Sequence, residues 1–496
     1  MEAPPAVEPA NAGRIGSALR SAMVWNLASM AMSQLVLSVL FILLAGQLKP
    51  EVFGLFALAV VLVDFYYVLA CSAGADAVVQ RQDFSARTLS TASWSASGVS
   101  AIAAVLLVMG SGLIASMVGE PQVTPVLIAL ALSVLIAPLV IAPTAVMRHK
   151  LDFRGLAIRG IIASLAGAVA ALAIAYTPWR DWALVAQRWV SLGAGALMII
   201  LHTRVTPKLE FDVAVSRGLL GVAGRIFAGQ GVGSAPPRVL DLIVGATFGP
   251  AILGCLRVAS KLGDVLVAAL VNPIGQMWLV FLSRTRNSPA EGRAVFLQLS
   301  KVLALIVLPG FLGAALVADE FVSIVLKPDY EQVGPLLAIL GSLGLFIPLT
   351  NSRSAILTAL SRLNMLLVFS VLDLVAAVVG MLLVRDYGPL AVVLVGCAMP
   401  NVASLIFGLP YLLNLMAIRA RDFAAAMVPP YLAAAVMCVG VIALDRMLPS
   451  IGPWGELIGK AVLGATLYIG FLALFFRRWT IIVVKGLSNR EIVRAA

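Results

Sequence analysis

The sequence has few charged residues, and this scarcity excludes an ordinary soluble domain. Only 12% of its 496 residues are charged, 61% are hydrophobic, and the mean hydropathy is +1.02. Apolar stretches of about 20 residues, the length that a helix needs to cross a bilayer, recur between Ser21 and Trp479. The sequence therefore predicts an all-α, polytopic membrane protein without a separate soluble domain.

Cysteine and histidine are also scarce. The four cysteines lie singly in apolar segments, at Cys71, Cys255, Cys397 and Cys438. No C-x-x-C motif is present and the chain has only two histidines, so neither a disulfide framework nor a zinc site is indicated. No G-x-x-x-x-G-K-[ST] motif occurs either, which argues against ATP bound by a P-loop. We expect no cofactor and no metal.

Residues 1–20 contain no apolar run, so they lack the core of a cleavable signal peptide and are predicted to be a cytoplasmic tail. The formal charge of +11 does not indicate nucleic-acid binding. Lys and Arg accumulate on the cytoplasmic side of membrane proteins for topological reasons, and this explains most of the excess. No nucleic-acid partner is predicted.

The apolar pattern predicts about fourteen transmembrane helices. If that count is right, alternate loops should differ in Lys and Arg content, and they do. The cation-poor set holds only Lys49, Arg180, Lys327, Arg385 and Arg446, with Lys460 near a helix end. The alternate set of loops holds many more Lys and Arg residues and includes both termini. Both termini, including residues 479–496, are therefore predicted to be cytoplasmic.

Two internal repeats indicate two similar halves. Pro50, Gly54 and Asp64 recur 200 positions later, as Pro250, Gly254 and Asp264, and Pro125 with the pair Pro138-Leu139 recurs 210 positions later. Coincidence is the alternative, since Pro and Gly are common. Both offsets place equivalent helices six apart, which predicts parallel six-helix lobes at 21–205 and 214–418, followed by two further helices at 422–478. Substrate should then pass at the interface of the lobes.

The predicted seventh helix, 217–247, is rich in glycine and is interrupted by Pro236 and Pro237. Two prolines remove backbone donors and force a bend, so this pair is a candidate hinge. Interrupted helices often line transport cavities, where Gln230 would be a polar contact. Close packing of small residues is the alternative explanation.

Charged residues inside spans are informative, because each costs about 2.5–3.5 kcal/mol at a helix centre unless it faces protein or water. Arg257, Lys261 and Asp264 have spacings of four and three and therefore share one face of the predicted eighth helix. That face cannot point to lipid. One alternative is a structural cluster in which Lys261 pairs with Asp264 and Arg238 with Asp241.

Even with both pairs formed, Arg225 and Arg257 would be left over, and Arg353 adds a further cation. Such a surplus predicts a positive, partly dehydrated cavity that attracts phosphate or carboxylate, since arginine binds phosphate oxygens in bidentate fashion. The candidate substrate-binding cations are Arg225, Arg238, Arg257, Lys261 and Arg353. The candidate polar cavity residues are Asn26, Gln34 and Gln230.

Asp64 and Asp264 are a repeat-related pair near the middle of their helices, and Asp241 is a third intramembrane carboxylate. A buried carboxylate can take up and release a proton, so these acids are candidates for ion coupling. Neutralisation of a nearby arginine is the alternative.

The longest outer loop carries four acids, Asp319, Glu320, Asp329 and Glu331. It is too short for a catalytic domain, so the acids are interpreted as a solvated face and no enzymatic activity is predicted.

Several stretches resemble the polysaccharide transporter family of the MOP (multidrug, oligosaccharidyl-lipid, polysaccharide) flippases, especially its branch of exopolysaccharide and colanic-acid exporters. They are LKPEVFGLFA at 48–57, GADAVVQRQD at 74–83, WALVAQ at 182–187, and 238–254, which begins RVLD. The resemblance covers most of the chain. It implies two six-helix lobes around a central cavity and alternating access. The positions of the cavity cations do not come from a family motif.

The resemblance also implies a cargo, an undecaprenyl-diphosphate-linked oligosaccharide moved across the bacterial inner membrane during exopolysaccharide or lipopolysaccharide biosynthesis. Membrane lipids, a polysaccharide polymerase and chain-length or export proteins are the corresponding candidate partners. The nearest rival is a multidrug or cation antiporter of the same superfamily, which would favour a negative or neutral cavity. A membrane-embedded glycosyltransferase or polymerase would need a larger outer domain.

Overall fold

The computed structural model describes residues 32–67, 73–81, 83–150, 152–233, 235–275, 289–360, 362–447 and 452–488. Almost all of these residues are helical, and no strand occurs in these ranges. The prediction of an all-α membrane fold is therefore confirmed. Residue Asn26 lies outside the described ranges, as do the side chains of Arg225 and Gln230.

The helices of the first half of the chain begin in several cases at a proline or a capping residue. They are α1 (Met32–Ala45), α2 (Pro50–Tyr67), α3 (Ala73–Arg81), α4 (Ala86–Val118), α5 (Val123–Ser133), α6 (Ile141–His149), α7 (Phe153–Ala175), α8 (Ala183–Thr203), α9 (Val213–Gly233) and α10 (Ala235–Leu266). Pro50 opens α2, because proline needs no backbone donor at the first helical position. Asp152 caps α7 and accepts a hydrogen bond from the Gly155 N–H at 2.9 Å.

The second half is built in the same way. Its helices are α11 (Pro289–Leu316), α12 (Ala318–Val325), α13 (Val333–Ser342), α14 (Ile347–Thr350), α15 (Ser352–Ala359), α16 (Leu363–Leu383), α17 (Pro389–Ala403), α18 (Leu409–Leu415), α19 (Ala420–Met447), α20 (Pro453–Phe475) and α21 (Arg477–Ser488). Two π-helical turns, Val267–Val271 and Ser404–Gly408, extend α10 and join α17 to α18.

Ten helical segments of the described residues are long and apolar enough to cross a membrane, or eleven if the bent pair Pro328–Leu345 and Ile347–Thr358 counts as one span. The ten are Ala86–Val118, Val123–His149, Arg154–Ala175, Arg180–Thr203, Ala235–Gly275, Ala290–Leu316, Asn364–Leu383, Pro389–Leu415, Ala420–Met447 and Pro453–Phe475. Met32–Ala45 and Val213–Gly224 are shorter apolar helices. The protein is therefore a multi-pass membrane protein, and the count of fourteen spans stays a prediction.

The chain forms two compact units. The first comprises residues 1–47, 59–116 and 121–228, and the second comprises 48–58, 117–120 and 229–496. Helix α2 therefore contributes to both, since its first residues belong to the second unit and those from Ala59 onward to the first. The predicted lobe boundaries stay a prediction.

The first unit is held together by small residues at its helix contacts. A Cβ atom on Gly167 of α7 would lie 2.8 Å from the Gln187 carbonyl oxygen of α8, so these two helices pack backbone to backbone. A second cluster joins α3, α4, α6 and α9 around residues such as Val78, Ile141 and Leu219. Lipid provides no hydrophobic drive between helices, and this close approach supplies van der Waals contact instead.

The second unit has the larger apolar core. Helix α11 lies at its centre, where Phe296 stacks with Phe423 of α19 at a centroid distance of 5.8 Å. A Cβ atom on Gly341 of α13 would lie 2.8 Å from the Phe311 carbonyl oxygen of α11. The same core includes Tyr468 and Leu472 of α20 and Val483 of α21, so the C-terminal helices are packed into this unit.

Candidate functional site

Helix α10 carries the densest group of charges in the described spans. Its two halves meet at Gly249, whose φ of +82° is a conformation that side chains disfavour, and Pro250 opens the second half. Asp241 precedes this break and Arg257 follows it. They form an ion pair between Arg257 Nη2 and Asp241 Oδ2 although they are 16 positions apart. A straight helix would separate them by about 24 Å, so the halves fold back on each other at Gly249.

The two partners of this pair differ in burial. The Asp241 side chain is 5% exposed, whereas that of Arg257 is 32% exposed. Asp241 therefore cannot be hydrated and relies on Arg257 for neutralisation. Arg257 uses Nη2 for this bond, and its buried Nε finds no acceptor among the described residues. The guanidinium is anchored by one edge and keeps donor capacity elsewhere.

Lys261 and Asp264 form a second pair one turn further along α10. Lys261 Nζ lies 3.6 Å from Asp264 Oδ2, and the side chains are 18% and 57% exposed. This is the pairing that the structural-cluster alternative predicted. The sequence also predicted a pair between Arg238 and Asp241. In the structure the guanidinium bonded to Asp241 belongs to Arg257, and the positive charge of Arg238 acts on Asp241 from a longer distance. Because the chain folds back at Gly249, Arg257 lies within bonding distance of Asp241.

Arg353 on α15 lies in a separate cluster. It donates to Asp373 of α16 and to Ser404 of the π-helical turn before α18. Its guanidinium carbon also lies 5.2 Å from the centre of the Phe369 ring, and the Arg353 and Asp373 side chains are 13% and 14% exposed. We expected Arg257 and Arg353 to lack carboxylate partners, but each has one. Arg353 is bound on several sides and holds three helical segments together.

The first unit contains a comparable pair. Arg188 Nη2 on α8 donates to Asp64 Oδ1 on α2 at 2.6 Å, and the Arg188 guanidinium lies 5.2 Å from the Tyr67 ring centre. Asp64 therefore neutralises an arginine, which is the alternative raised for it from sequence. Asp76 of α3 is paired in the same way with Arg148 of α6.

The remaining predicted residues are only partly placed. Gln34 is half-buried on α1, and Pro236 and Pro237 lie in the first turn of α10, where a missing backbone donor leaves no helical hydrogen bond unmade. The hinge stays a prediction. Arg225, Gln230 and Asn26, as noted, lie outside the described part of the site, in side chain or altogether.

One charged cluster was missed by sequence reasoning. Lys460 of α20 contacts Glu320 of α12 and Asp445 of α19, the latter at 2.7 Å, and the side chains of Lys460 and Glu320 are both 11% exposed. The interpretation of Glu320 as part of a solvated face is therefore wrong. Its neighbours Asp319, Asp329 and Glu331 are exposed as expected. The one signal was Lys460 itself, a lone cation in an apolar span.

Carboxylate oxygens of Glu320, Asp445 and Glu456 lie within 4.8 Å of one another, a spacing that a metal ion could bridge. The Lys460 ammonium forms ion pairs with two members of this group, Glu320 and Asp445. We therefore interpret the cluster as an ion-paired tie between α12, α19 and α20.

The fold is similar to that of two solved membrane transporters. Lipid II flippase MurJ in an inward closed conformation superposes on 92% of this chain and 99% of its own length, with a TM-score of 0.76 at 14% identity. An inward-facing multidrug resistance MATE family transporter of the MOP superfamily matches 78% of this chain and 94% of its own, with a TM-score of 0.62 at 14% identity. At such identities the likeness shows the fold alone.

The chain belongs to the polysaccharide biosynthesis protein family, whose model matches residues 43–335. Lipopolysaccharide biosynthesis protein WzxC of Escherichia coli (strain K12) is 22% identical over 66% of this chain and 67% of its own length. Succinoglycan biosynthesis transport protein ExoT of Rhizobium meliloti (strain 1021) is 23% identical over 62% of each chain. Teichuronic acid biosynthesis protein TuaB of Bacillus subtilis (strain 168) is 22% identical over 58% and 60%. The matches thus span about three fifths to two thirds of these relatives.

Proposed function

We propose that this protein is a flippase that moves an undecaprenyl-diphosphate-linked oligosaccharide repeat unit from the cytoplasmic to the periplasmic leaflet of the bacterial inner membrane. The polymer would be an exopolysaccharide or a lipopolysaccharide, both termini would be cytoplasmic, and transport would proceed by alternating access without catalysis. Family membership supports the pathway, since the relatives carry names from lipopolysaccharide, succinoglycan and teichuronic acid biosynthesis.

The observation that carries the proposal is Arg257, a partly exposed guanidinium inside an apolar span. Its partner Asp241 is buried and accepts from Nη2, which leaves the rest of this partly exposed guanidinium for an incoming acceptor. Diphosphate oxygens are good acceptors for the remaining N–H groups, because the planar guanidinium matches phosphate geometry. Arg257 would therefore bind the headgroup while it remains anchored.

The formal charge of α10 favours an anion. Its apolar span, Ala235–Gly275, contains three cations and two carboxylates, so one positive charge remains. The excess is only one charge, and Arg257 and Lys261 each have a carboxylate nearby. A single excess cation in a low-dielectric region still attracts a diphosphate strongly.

Ion coupling through Asp64, Asp241 or Asp264 stays a prediction, and the ion pairs make it testable. Each acid is held by a cation in this structure, so these ion pairs would have to break or rearrange if the acid bound a coupling ion. Export with normal pH dependence in the Asp64→Asn and Asp264→Asn variants would remove these two acids from the coupling mechanism.

The test is a deletion strain in which lipid-linked intermediates are extracted and their membrane side is determined. We expect an undecaprenyl-diphosphate oligosaccharide to accumulate on the cytoplasmic side and export to return with the wild-type gene. Arg257→Gln should restore less export than the wild-type gene when the two are compared at equal amounts of membrane protein. Arg385→Gln is the matched control, because Arg385 is 62% exposed and its ion pair is with the neighbouring Asp386.

The rival function is multidrug or cation antiport, which the MATE fold likeness allows. A deletion strain that accumulates no lipid-linked intermediate but becomes sensitive to cationic dyes would establish that rival. The ion pairs weigh against it, because the three candidate coupling acids are already matched by cations in this structure.

A further inference from the structure

Helix α21 leaves the span of α20 at an elbow formed by residues 475–479. Helix α20 ends at Phe475, and Phe476, with φ −127° and ψ 32°, separates it from Arg477 at the start of α21. The 23 residues of α20 rise about 34 Å, which is enough to cross the hydrocarbon core, so the elbow lies at a membrane surface. The loop charges predict that this is the cytoplasmic surface.

Helix α11 runs along the inner side of the elbow. The Tyr468 hydroxyl of α20 donates to the Leu305 carbonyl oxygen of α11 at 3.1 Å. The Gln298 amide of α11 donates to the Val483 carbonyl oxygen of α21 at 2.9 Å. Gln298, Lys301 and Leu305 follow one stripe of α11 at spacings of three and four. Lys301 therefore lies between the two contacts, at the level of the elbow.

Two hydrogen-bond donors at this level lack an acceptor. The Lys301 side chain is half-buried and forms no ion pair or hydrogen bond with the described residues. Trp479 packs against the core of the second unit, and its buried indole Nε1 likewise finds no acceptor in the described part of the chain. An ammonium and an indole can only donate. Because unmet buried donors are costly, these two groups indicate that an acceptor from outside the chain completes the site.

The outer surface of the elbow is cationic. Arg477 and Arg478 are exposed, and neither forms an ion pair with a described residue. Residues 476–488 contain a third cation, Lys485, and no acid. Cations in the first turn of a helix oppose its macrodipole, so an anion outside the helix would stabilise this arrangement.

Isoleucines border the arginines on the same outer surface. Ile481 and Ile482 are 41% and 62% exposed, whereas Val483 is fully buried. Water disfavours exposed isoleucine and hydrocarbon disfavours arginine, so this mixed face suits the boundary between lipid headgroups and acyl chains. A lipid with an anionic headgroup matches both parts of the face, whereas free phosphate matches only the cations.

We propose that the elbow binds the headgroup of an anionic phospholipid from the cytoplasmic leaflet. Lys301 and the Trp479 indole N–H donate to its phosphate, and Arg477 and Arg478 add electrostatic attraction. Ile481 contacts an acyl chain. The bound lipid joins α11, α20 and α21. This inference goes beyond the proposed function and does not depend on the cargo.

The test is native mass spectrometry of the purified full-length protein, titrated with phosphatidylglycerol or with phosphatidylcholine of the same acyl chains. We expect the affinity for phosphatidylglycerol to be higher by about tenfold or more. Lys301→Gln should weaken phosphatidylglycerol binding about fivefold, because a cation near an anionic lipid contributes about that factor. The double variant Arg477→Gln with Arg478→Gln should weaken it by at least as much.

Trp479→Phe keeps an aromatic ring and removes the indole N–H, so it should weaken phosphatidylglycerol binding about threefold or more in a folded protein. The matched control is the double variant Arg180→Gln with Arg385→Gln. It removes the same charge from exposed positions on the predicted outer loops, and its affinity should not change.

Equal affinities of the wild-type protein for the two phospholipids would overturn the proposal. Unchanged binding in the folded variants of Lys301 and of the arginine pair would do the same, as would an equal loss in the control. Displacement of phosphatidylglycerol by equimolar undecaprenyl phosphate, or by millimolar inorganic phosphate, would refute the assignment to a phospholipid. The titration contains no lipid-linked sugar, so each of these outcomes would leave the proposed cargo standing.

Discussion

The unequal burial of Asp241 and Arg257 predicts that the two single variants differ in stability. Arg257→Gln leaves a carboxylate that is 5% exposed without its cation, and breaking a buried pair in this way costs about 3–5 kcal/mol. Asp241→Asn leaves a guanidinium that is 32% exposed and partly hydrated, so the cost should be lower, about 1–3 kcal/mol. The larger loss thus belongs to the arginine variant.

The double variant separates stability from transport. Asp241→Asn with Arg257→Gln removes both charges, and two neutral amides of similar size can hydrogen-bond to each other, so most of the lost stability should return. Export should not return, because the guanidinium that would bind the diphosphate is still absent. Arg257→Lys should retain the charge but lose the planar edge, and should export poorly.

The assay pairs thermal unfolding of the purified protein in detergent with export in the complemented deletion strain. Equal losses of stability in the two single variants would refute the burial argument. A double variant as unstable as the sum of the singles would refute direct pairing. A stable double variant that exports normally would remove Arg257 from cargo recognition, leaving it a structural role.

Three further outcomes are expected. Lys460→Met should destabilise the protein by about 3 kcal/mol or more, because it strands the buried carboxylate of Glu320; Lys460→Arg should largely restore unfolding temperature. Gly341→Ala should cost about 1–3 kcal/mol, since its Cβ atom would meet the Phe311 backbone at 2.8 Å, and normal thermal stability would contradict this. Asp152→Ala should cost about 1 kcal/mol at pH 7 through loss of the α7 cap, and the difference from wild type should shrink as the pH falls below the ordinary pKa of 3.8 and through the lower pKa of Asp152 in the folded protein.

The surroundings of Asp152 determine how its contribution to stability depends on pH. Burial raises the pKa of this carboxyl group, but the Gly155 N–H, His202 at 2.8 Å and the charge of Arg154 lower it by more, so the folded pKa lies below the ordinary 3.8. The contribution of Asp152 to stability is therefore complete above its unfolded pKa. It is lost as the pH falls through the lower, folded value.

Much of the architecture was predictable because its cause is local. An apolar run of about 20 residues has to form a helix in a bilayer, since lipid offers no partner for backbone N–H and C=O groups. The all-α fold followed from this requirement alone. Motifs such as 48–57 and 74–83 pointed to the same family that the match over 43–335 shows.

The charged residues were harder to interpret, because their partners are remote in sequence. Lys261 and Asp264 are three positions apart, and their pairing could be anticipated from helix geometry. Arg353 and Asp373 come from different helices, as do Lys460 and Glu320, so no spacing rule connects them. For this reason the sequence analysis overestimated the number of unpaired cations in the spans and placed Glu320 on a solvated face.

The sequence by itself determined that this chain crosses a membrane many times, because hydropathy is a property of the order of residues along the chain. The recurring Pro-Gly motifs predicted an internal repeat for the same reason. Only the tertiary structure decided which charges neutralise one another and how the recurring motifs contact each other. The break at Gly249 brings Arg257 to Asp241, and packing sets Gly54 against Pro250. Distances between remote residues depend on how helices fold back and pack, and no local pattern records them.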